Sequence, residues 1–306
     1  MKLSQLAPGH VRFDVPLAPL TTFGLGGTAG ALVEPDSVSE LTEVLKLAQS
    51  RRWPVFLLAA GSNVLFRDGG FPGMVVKLGP DFSKLAVFKV EGDQVLVEAG
   101  AAVPLARLIN LVQEEGISGL EFLAGIPGTV GGALAMNAGA FGGEIVGSVS
   151  RLEILNPDGR VEERPRSQIR ATYRRLDLRE GSIILKAFFN LTRSTPDQVK
   201  AKIQECLERR WAVQPTGVRS AGSIFKNPPA EPAGKLIDKA GLKGLSVGKA
   251  WVSEKHANFI VHQGEARASD VIELINQVRG EVRKRFGVDL EPEIKIVGVD
   301  REVESG

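Results

Sequence analysis

The chain has 306 residues, 43% hydrophobic and 24% charged, with a formal net charge of +2; it is long enough for two or three domains with real cores. The near-neutral balance offers no basic footprint for nucleic acid but leaves small anionic ligands open. Cys206 is alone, which excludes an internal disulfide and a cysteine metal cluster, and His10, His256 and His262 are scattered without a carboxylate cluster at ligand spacing, so no metal site is expected. Met1 to His10 lacks the apolar core of a signal peptide, so a cytoplasmic address is expected.

In chain order, the first glycine motif is Gly24-Leu25-Gly26-Gly27-Thr28-Ala29. It fits a dinucleotide fingerprint in letters only, because the residues before it make a poor strand and those after Ala31 open no helix. Asp36 to Arg51 is an amphipathic helix, with Val38, Leu41, Val44, Leu45 and Ala48 at helical spacing and Ser37 and Glu40 as a capping box. Pro54 ends it. Val55 to Ala59 then reads as a buried strand that runs into Gly61-Ser62-Asn63, where backbone N–H groups can converge on an anion.

Strand signals follow at Met74 to Leu78, Ala86 to Val90 and Val95 to Ala99, then a helix from Pro104 to Glu115 with proline in its first turn. The uncharged run Phe122 to Gly143, dense in glycine from Gly125 onward, is the most distinctive segment. Such density suggests backbone held where a Cβ would collide with something, and a phosphate-bearing cofactor is the leading candidate. Its length suits a membrane span, and the spacings Gly128 to Gly132 and Gly139 to Gly143 suit helix packing. Pro127, Asn137 and the scarcity of bulky apolar side chains argue against the span, and the ordered residues between the glycines argue against a floppy linker.

Beyond the run, Arg151 to Leu155 and Arg160 to Glu163 flank Asn156-Pro157-Asp158-Gly159 as a hairpin. Ser182 to Leu191 is an apolar strand. Near Arg193-Ser194-Thr195-Pro196 the pattern shifts to a charged helix reaching about Trp211, which marks the expected domain boundary. A Gly/Pro-rich stretch from Gln214 to Gly234, a short helix at Lys235 to Ala240, a strand at Asn258 to His262, a long helix at Ser269 to Phe286 and a strand at Glu293 to Val297 complete the chain. There is no repeat period, Walker A sequence or G-x-S-x-G elbow.

With so few thiols and imidazoles, any redox chemistry requires a bound organic cofactor. Two separated neutral segments, Gly61 to Val64 and Gly125 to Thr129, suit the pyrophosphate of a dinucleotide, and FAD is the natural candidate.

The ordered motifs Thr22-Phe23-Gly24-Leu25-Gly26-Gly27, Ala60-Gly61-Ser62-Asn63-Val64-Leu65 and Gly125-Ile126-Pro127-Gly128-Thr129-Val130-Gly131-Gly132 through Met136-Asn137-Ala138-Gly139 resemble those of the UDP-N-acetylenolpyruvoylglucosamine reductase (MurB) family. Ala221-Gly222-Ser223-Ile224-Phe225-Lys226-Asn227-Pro228, Ala240-Gly241-Leu242-Lys243-Gly244, Ser253-Glu254-Lys255-His256-Ala257-Asn258-Phe259 and Glu291-Pro292-Glu293 are similar to its substrate-domain motifs. The resemblance covers about Leu20 to Gly298 and implies an α+β fold: a two-subdomain FAD-binding region like that of vanillyl-alcohol oxidase (PCMH-type), and a smaller α/β substrate-binding domain. The expected division is 1–195, with subdomains of about 1–80 and 81–195, followed by 196–306, the last strand free to return to the FAD region.

The family's reaction uses NADPH to reduce noncovalent FAD, which then reduces the enolpyruvyl ether of UDP-N-acetylglucosamine to UDP-N-acetylmuramate, a peptidoglycan precursor. The partners so implied are small molecules, with no nucleic acid, membrane or obligate protein. By the same resemblance Ala60, Gly61, Ser62, Asn63, Val64, Gly125, Ile126, Gly128, Thr129, Gly131, Gly132, Asn137, Ala138, Gly139, Glu144 and Ile145 contact the cofactor. Arg174, Ser223 and Glu293 carry catalysis. Tyr173, Lys226, Asn227, Arg219, His256 and Asn258 are implied as substrate contacts.

The chemistry is consistent with those residue types: a fixed arginine stabilises charge developing on a carboxylate, and a serine in a positioned, low-water site delivers a proton. On the residues alone, Arg174 is equally one of a solvated cluster with Arg170 and Arg175, Ser223 a turn serine after Gly222, and Glu293 an ordinary charge after Pro292. The sequence departs from the family twice. Arg175-Leu176 follow Tyr173-Arg174 where the family usually has a residue and then serine. Tyr173 is the only tyrosine, so the chain resembles the subgroup lacking a tyrosine on a substrate-clamping loop. A flavin oxidase of the same fold and a non-catalytic binder of flavin or nucleotide sugar stand as alternatives.

Overall fold

The computed structural model describes residues 9–301. The expectation about a leader falls mainly on residues 1–8, which lie outside the described residues. The chain is a mixed α+β protein, as its sequence leads one to expect.

The first layer contains β1 (Val11–Pro16), β2 (Thr28–Val33), α1 (Val38–Ser50), β3 (Val55–Leu57), β4 (Val64–Phe66) and β5 (Phe71–Val76). Strands are ordered β1-β2-β5-β3, antiparallel at the β1 edge and parallel elsewhere. Helix α1 starts where Ser37 accepts from the Glu40 N–H, and its buried stripe of Leu41, Val44 and Ala48 meets Ala31, Val33, Met74 and Val76 of the sheet. The Gly24 to Ala29 run leads into β2 with no helix behind it, so it is not a Rossmann turn.

The second layer is a larger antiparallel sheet. It contains β6 (Leu85–Lys89), β7 (Gln94–Gly100), β8 (Ile117–Ser118), β11 (Val149–Leu155), β12 (Val161–Pro165) and β15 (Ile183–Arg193), ordered β12-β11-β15-β7-β6 with β8 on β15. The β11–β12 hairpin turns at Asp158-Gly159, where Gly159 has φ 83°. Helix α2 (Leu105–Glu114) buries Leu105, Leu108, Ile109 and Val112 against this sheet's core. The uncharged run is neither a long helix nor a linker. It folds as a loop, the six-residue helix α3 (Val130–Ala135) and a tight hairpin of β9 (Gly139–Ala140) and β10 (Gly143–Glu144). Among the described residues no helix is long and apolar enough to cross a membrane.

A further hairpin, β13 (Ala171–Thr172) with β14 (Arg175–Leu176), precedes β15. Helix α4 (Pro196–Val213) follows, capped by the Thr195 hydroxyl. Its buried residues Val199 and Ile203 belong to the core of the larger sheet, so a division before Pro196 parts this helix from the core that buries it.

The last part holds α5 (Ala233–Lys239), β16 (Ser246–Val247), β17 (Ala250–Val252), β18 (Ile260–Val261) and α6 (Ala268–Phe286), packed around a separate core. That core also takes in Phe23, Leu25 and Leu65 from the amino-terminal part. The chain then returns: β19 (Lys295–Val297) pairs in parallel with β4, Lys295 opposite Val64. Asp68 adds a second tie, its carboxylate accepting from the Ala268 and Ser269 N–H groups at the start of α6, both at 2.9 Å. Such returns hold residues far apart in sequence on one cleft.

Candidate active site

A cleft of about 1260 Å³ opens where the three parts meet. One wall is the segment between β3 and β4. Gly61 is left-handed there (φ 64°), and a Cβ on it would sit 2.8 Å from the Thr21 Cα, so only glycine lets this turn pack on Leu20-Thr21. The facing wall is the loop before α3. The Ser62 hydroxyl donates to the Pro127 carbonyl at 2.9 Å and fixes the spacing of the two loops.

Among the described residues, no acceptor meets the backbone N–H groups of Ala60, Gly61, Ser62 and Asn63, nor those of Gly125, Gly128 and Thr129. Unengaged N–H groups on a concave wall fit a bound anion. This is the property a cofactor pyrophosphate requires, and the neutral donors of the two loops fit it. Ala60, Gly61, Ser62, Asn63, Val64, Gly125, Ile126, Gly128, Thr129, Gly131, Gly132, Ala138 and Gly139 all line the cleft. The glycines have mixed reasons. A Cβ on Gly131 would lie 2.8 Å from that of Ala101, and one on Gly132 would lie 3.1 Å from that of Ala59. Those two serve protein packing as well as the cleft.

Asn137 and Ile145 are off the wall, which corrects their expected place as cofactor contacts. Both are fully buried, Ile145 in the core and Asn137 as a bracket behind the site. The Asn137 amide donates to Glu144 at 2.8 Å and to the Thr172 carbonyl at 3.2 Å, and its oxygen accepts from the Val146 N–H. Glu144 faces a smaller neighbouring cavity of about 550 Å³ with Tyr173, Arg166 and Asn227, and so is also displaced from the main cleft.

Asn137 thereby anchors the β13–β14 hairpin whose tip is Tyr173-Arg174. Arg174 is left-handed (φ 58°), a conformation that costs an L-residue with a Cβ about 1–2 kcal/mol. The departure from the family after Arg174 is accommodated as strand: Arg175 pairs with Thr172 and Leu176 with Ala171. From this tip Arg174 reaches both cavities, with Nε 3.0 Å from Glu293 Oε1 and Nη1 donating to the Gly139 carbonyl at 3.3 Å. Tyr173 lies beneath its guanidinium, 5.0 Å from ring centroid to Cζ.

Glu293 and Ser223 sit on neighbouring segments. The Glu293 N–H donates to the Ile224 carbonyl at 2.7 Å, and Phe225 bridges Pro292. The Asn63 amide donates to the Glu293 carbonyl at 3.1 Å, so the anion-cradling loop also grips this segment. Burial pushes the Glu293 carboxyl above the ordinary glutamate range, opposed by the positive charges of Arg174 and Lys226. Ser223 follows left-handed Gly222 (φ 75°) on the cleft wall. The fold thus brings Arg174, Ser223 and Glu293 to one corner.

Most polar neighbours named as substrate contacts are engaged elsewhere. Asn258 is buried and clamps Phe225, accepting from its N–H at 2.9 Å and donating to its carbonyl at 2.8 Å. It therefore holds the Ser223 segment from behind. His256 packs edge-on against Phe259, and burial lowers its pKa. Arg219 bridges His262 away from the cleft lining, and Lys226 pairs with Glu291 at 2.5 Å. Asn258 is thereby corrected as a substrate contact, since it is buried behind the wall; His256 and Arg219 lie off the cleft lining, whereas Lys226 stays beside the corner, where its charge acts on Glu293. Asn227 faces the smaller cavity while its oxygen caps α5 through the Ala233 N–H at 3.0 Å.

The sequence reading missed Arg210, Trp211 and Lys295, all on the cleft wall. Arg210 donates from Nε to the Ala124 carbonyl at 3.1 Å. A cation in an already charged helix carried no signal that would set it apart.

Comparison with known proteins agrees with the geometry. Residues 29–164 match the family model of an FAD binding domain, and residues 214–297 match that of the UDP-N-acetylenolpyruvoylglucosamine reductase C-terminal domain. A UDP-N-acetylenolpyruvoylglucosamine reductase of Syntrophus aciditrophicus (strain SB) is 42% identical over 299 residues, spanning 98% of this chain and 96% of the relative. That of Rubrobacter xylanophilus is 42% identical over 298 residues, spanning 97% and 98%. The crystal structure of the Thermus caldophilus enzyme superimposes with a TM-score of 0.79 at 35% identity, over 94% of this chain and 99% of that one. The chain belongs to the UDP-N-acetylenolpyruvoylglucosamine reductase (MurB) family.

Proposed function

We propose that this chain reduces the enolpyruvyl ether of UDP-N-acetylglucosamine to the lactyl ether of UDP-N-acetylmuramate, with Arg174, Ser223 and Glu293 as its catalytic residues. The observation that carries the reading is their convergence on the cleft that also presents the unengaged N–H groups of residues 60–63 and of Gly125, Gly128 and Thr129. Bound FAD, held by those two loops, supplies hydride chemistry with NADPH as its source of electrons.

On the protein side, Arg174 is placed to bind the carboxylate beside the reacting double bond and to stabilise negative charge as it spreads there. A preorganised cation of this kind contributes most where water is excluded. The strained backbone at Arg174 and its pairing with Glu293 hold the guanidinium before substrate arrives. Ser223 delivers its hydroxyl proton to the carbon next to the carboxylate, while hydride adds to the terminal carbon; the two additions together saturate the bond. Glu293 orients Arg174 and completes the charge balance of the corner. The smaller cavity, with Tyr173, Asn227 and Arg166, extends the site for the rest of the nucleotide sugar. Both reactants are small molecules of the cytoplasm, so we place the protein there, with no obligate protein partner.

The test is spectroscopic. The purified protein should carry noncovalent flavin, bleach with NADPH under anaerobic conditions, and recover its yellow colour when enolpyruvyl-UDP-N-acetylglucosamine is added. A protein that holds no flavin, or whose reduced flavin ignores the substrate, contradicts the proposal.

A further inference from the structure

His262 is fully buried, and the proposed chemistry gives it no part. A buried imidazole is costly unless both ring nitrogens are satisfied, and here both are. The Gly264 N–H donates to Nδ1 at 3.0 Å, so Nε2 carries the proton and donates to the Phe23 carbonyl at 2.7 Å. The ring is held neutral in one tautomer, and burial lowers its pKa in keeping with that. Its face stacks on the Phe23 ring, centroids 5.8 Å apart and planes within 13°.

The two partners belong to different parts of the chain. Phe23 leaves the amino-terminal part to fill the carboxy-terminal core, and Thr22 before it lines the cleft. The Thr22 N–H donates to the Gly61 carbonyl at 3.2 Å, so the loop that His262 grips is bonded directly to the cradle. The backbone of His262 is engaged elsewhere. It exchanges two hydrogen bonds with the backbone of Arg219, at 3.0 and 3.2 Å, and Arg219 opens the segment that follows the cleft wall through Ser220, Ala221 and Gly222 to Ser223. One residue thus holds the cradle loop with its side chain and the Ser223 segment with its backbone.

The same joint accounts for Thr22-Phe23-Gly24, a motif that cofactor contacts leave unexplained. Gly24 is left-handed (φ 67°), and a Cβ there would press into the Arg219 side chain, 3.2 Å from its Cζ. On the far side of Ser223 a separate tie exists, from Asn63 to Glu293 and from Glu293 to Ile224. His262 supplies the tie on the near side, so Ser223 is slung between two points fixed to the cradle.

We propose that His262 is a positioning residue for the reductive step, its hydrogen bond to Phe23 setting the place of Ser223 relative to a cofactor on the cradle. The inference rests on the reductase reading, which makes Ser223 the proton donor. A misplacement of about 1 Å can cost about 10²-fold in rate, so a loosened joint shows in the chemistry before it shows in the fold.

The test compares two variants of the FAD-loaded protein by anaerobic stopped flow. His262→Phe keeps a ring against Phe23 and removes the donor, whereas His262→Gln loses the ring and keeps an N–H that reaches the Phe23 carbonyl. In His262→Phe, reoxidation by enolpyruvyl-UDP-N-acetylglucosamine should slow by about 10- to 100-fold, while flavin reduction by NADPH, which needs no proton from Ser223, stays within about threefold of wild type. His262→Gln should stay within about threefold in both half-reactions. A histidine that only filled space would give the opposite ranking. If His262→Phe does not fold, Gly24→Ala opens the joint from the other side by displacing Arg219, and the same split between half-reactions is expected. Wild-type reoxidation in the variant used, or equal slowing of both half-reactions, overturns the positioning role and leaves the reductase reading intact. A wild-type holoprotein whose reduced flavin ignores the substrate overturns both.

Discussion

The two working regions of the cleft are built by opposite means. The cradle formed by residues 60–64 and the loop before α3 offers backbone N–H groups and no charged side chain of its own. The proposed catalytic corner is all side chain, with Arg174, Ser223 and Glu293 arriving from three segments far apart in sequence. Backbone recognition needs only the right local course of the chain, and glycine supplies it. A side-chain corner needs every segment held from behind, by Asn137 at the Arg174 hairpin, Asn258 at the Ser223 segment and Asn63 at Glu293. Three buried or half-buried asparagines therefore do for the corner what glycine does for the cradle.

If the division is right, the regions can be broken separately. The largest effect is expected from Arg174→Ala, which should slow substrate reduction by about 10²- to 10³-fold, the cost of removing one preorganised donor. Flavin content and the rate of reduction by NADPH should be kept, as read by absorbance and stopped flow. Loss of flavin from this variant would show that corner and cradle are not independent.

The cradle is tested by Gly61→Ala, whose Cβ would press on Thr21 in a left-handed turn. The backbone cost alone is about 1–2 kcal/mol, so FAD affinity should fall about tenfold or more in a fluorescence titration of apoprotein. Unchanged affinity would contradict the placing of the cofactor on this loop. The smallest effect belongs to the junction. Asp68→Ala removes the acceptor of two first-turn N–H groups of α6, whose Asp270 cap remains, and should lower stability by about 0.5–2 kcal/mol, seen in denaturant melts, with both half-reactions near wild type.

The same contrast governs what the sequence revealed. The cradle was legible because its signal is local: a glycine run and a strand leading toward Gly61-Ser62-Asn63 can be seen within a few residues, although the strand is shorter than expected, Val55–Leu57, and Val55 and Leu57 are exposed on the cleft wall rather than buried. Helix α1, with its clear stripe and cap, was legible for the same reason, and α4 through the local shift to charged residues. Strand β1 was not, because it is an exposed edge ending in proline, and β2 was hidden by its small residues Thr28, Ala29, Gly30 and Ala31. The trio proposed as catalytic was reached only through resemblance, since no local pattern distinguishes Ser223 from a turn serine or Glu293 from a surface charge. His256 and Asn258 misled because polar residues in a shared motif can serve the wall from behind. Only their burial and hydrogen bonds tell that role from ligand contact.

The central claim is that the cradle holds the cofactor while the corner delivers the proton, and one variant separates the two directly. Anaerobic stopped flow on Ser223→Ala should show flavin reduction by NADPH at the wild-type rate. Reoxidation by enolpyruvyl-UDP-N-acetylglucosamine should then slow by about 10²- to 10⁴-fold, the range of a lost general acid. Reoxidation at the wild-type rate would contradict the account.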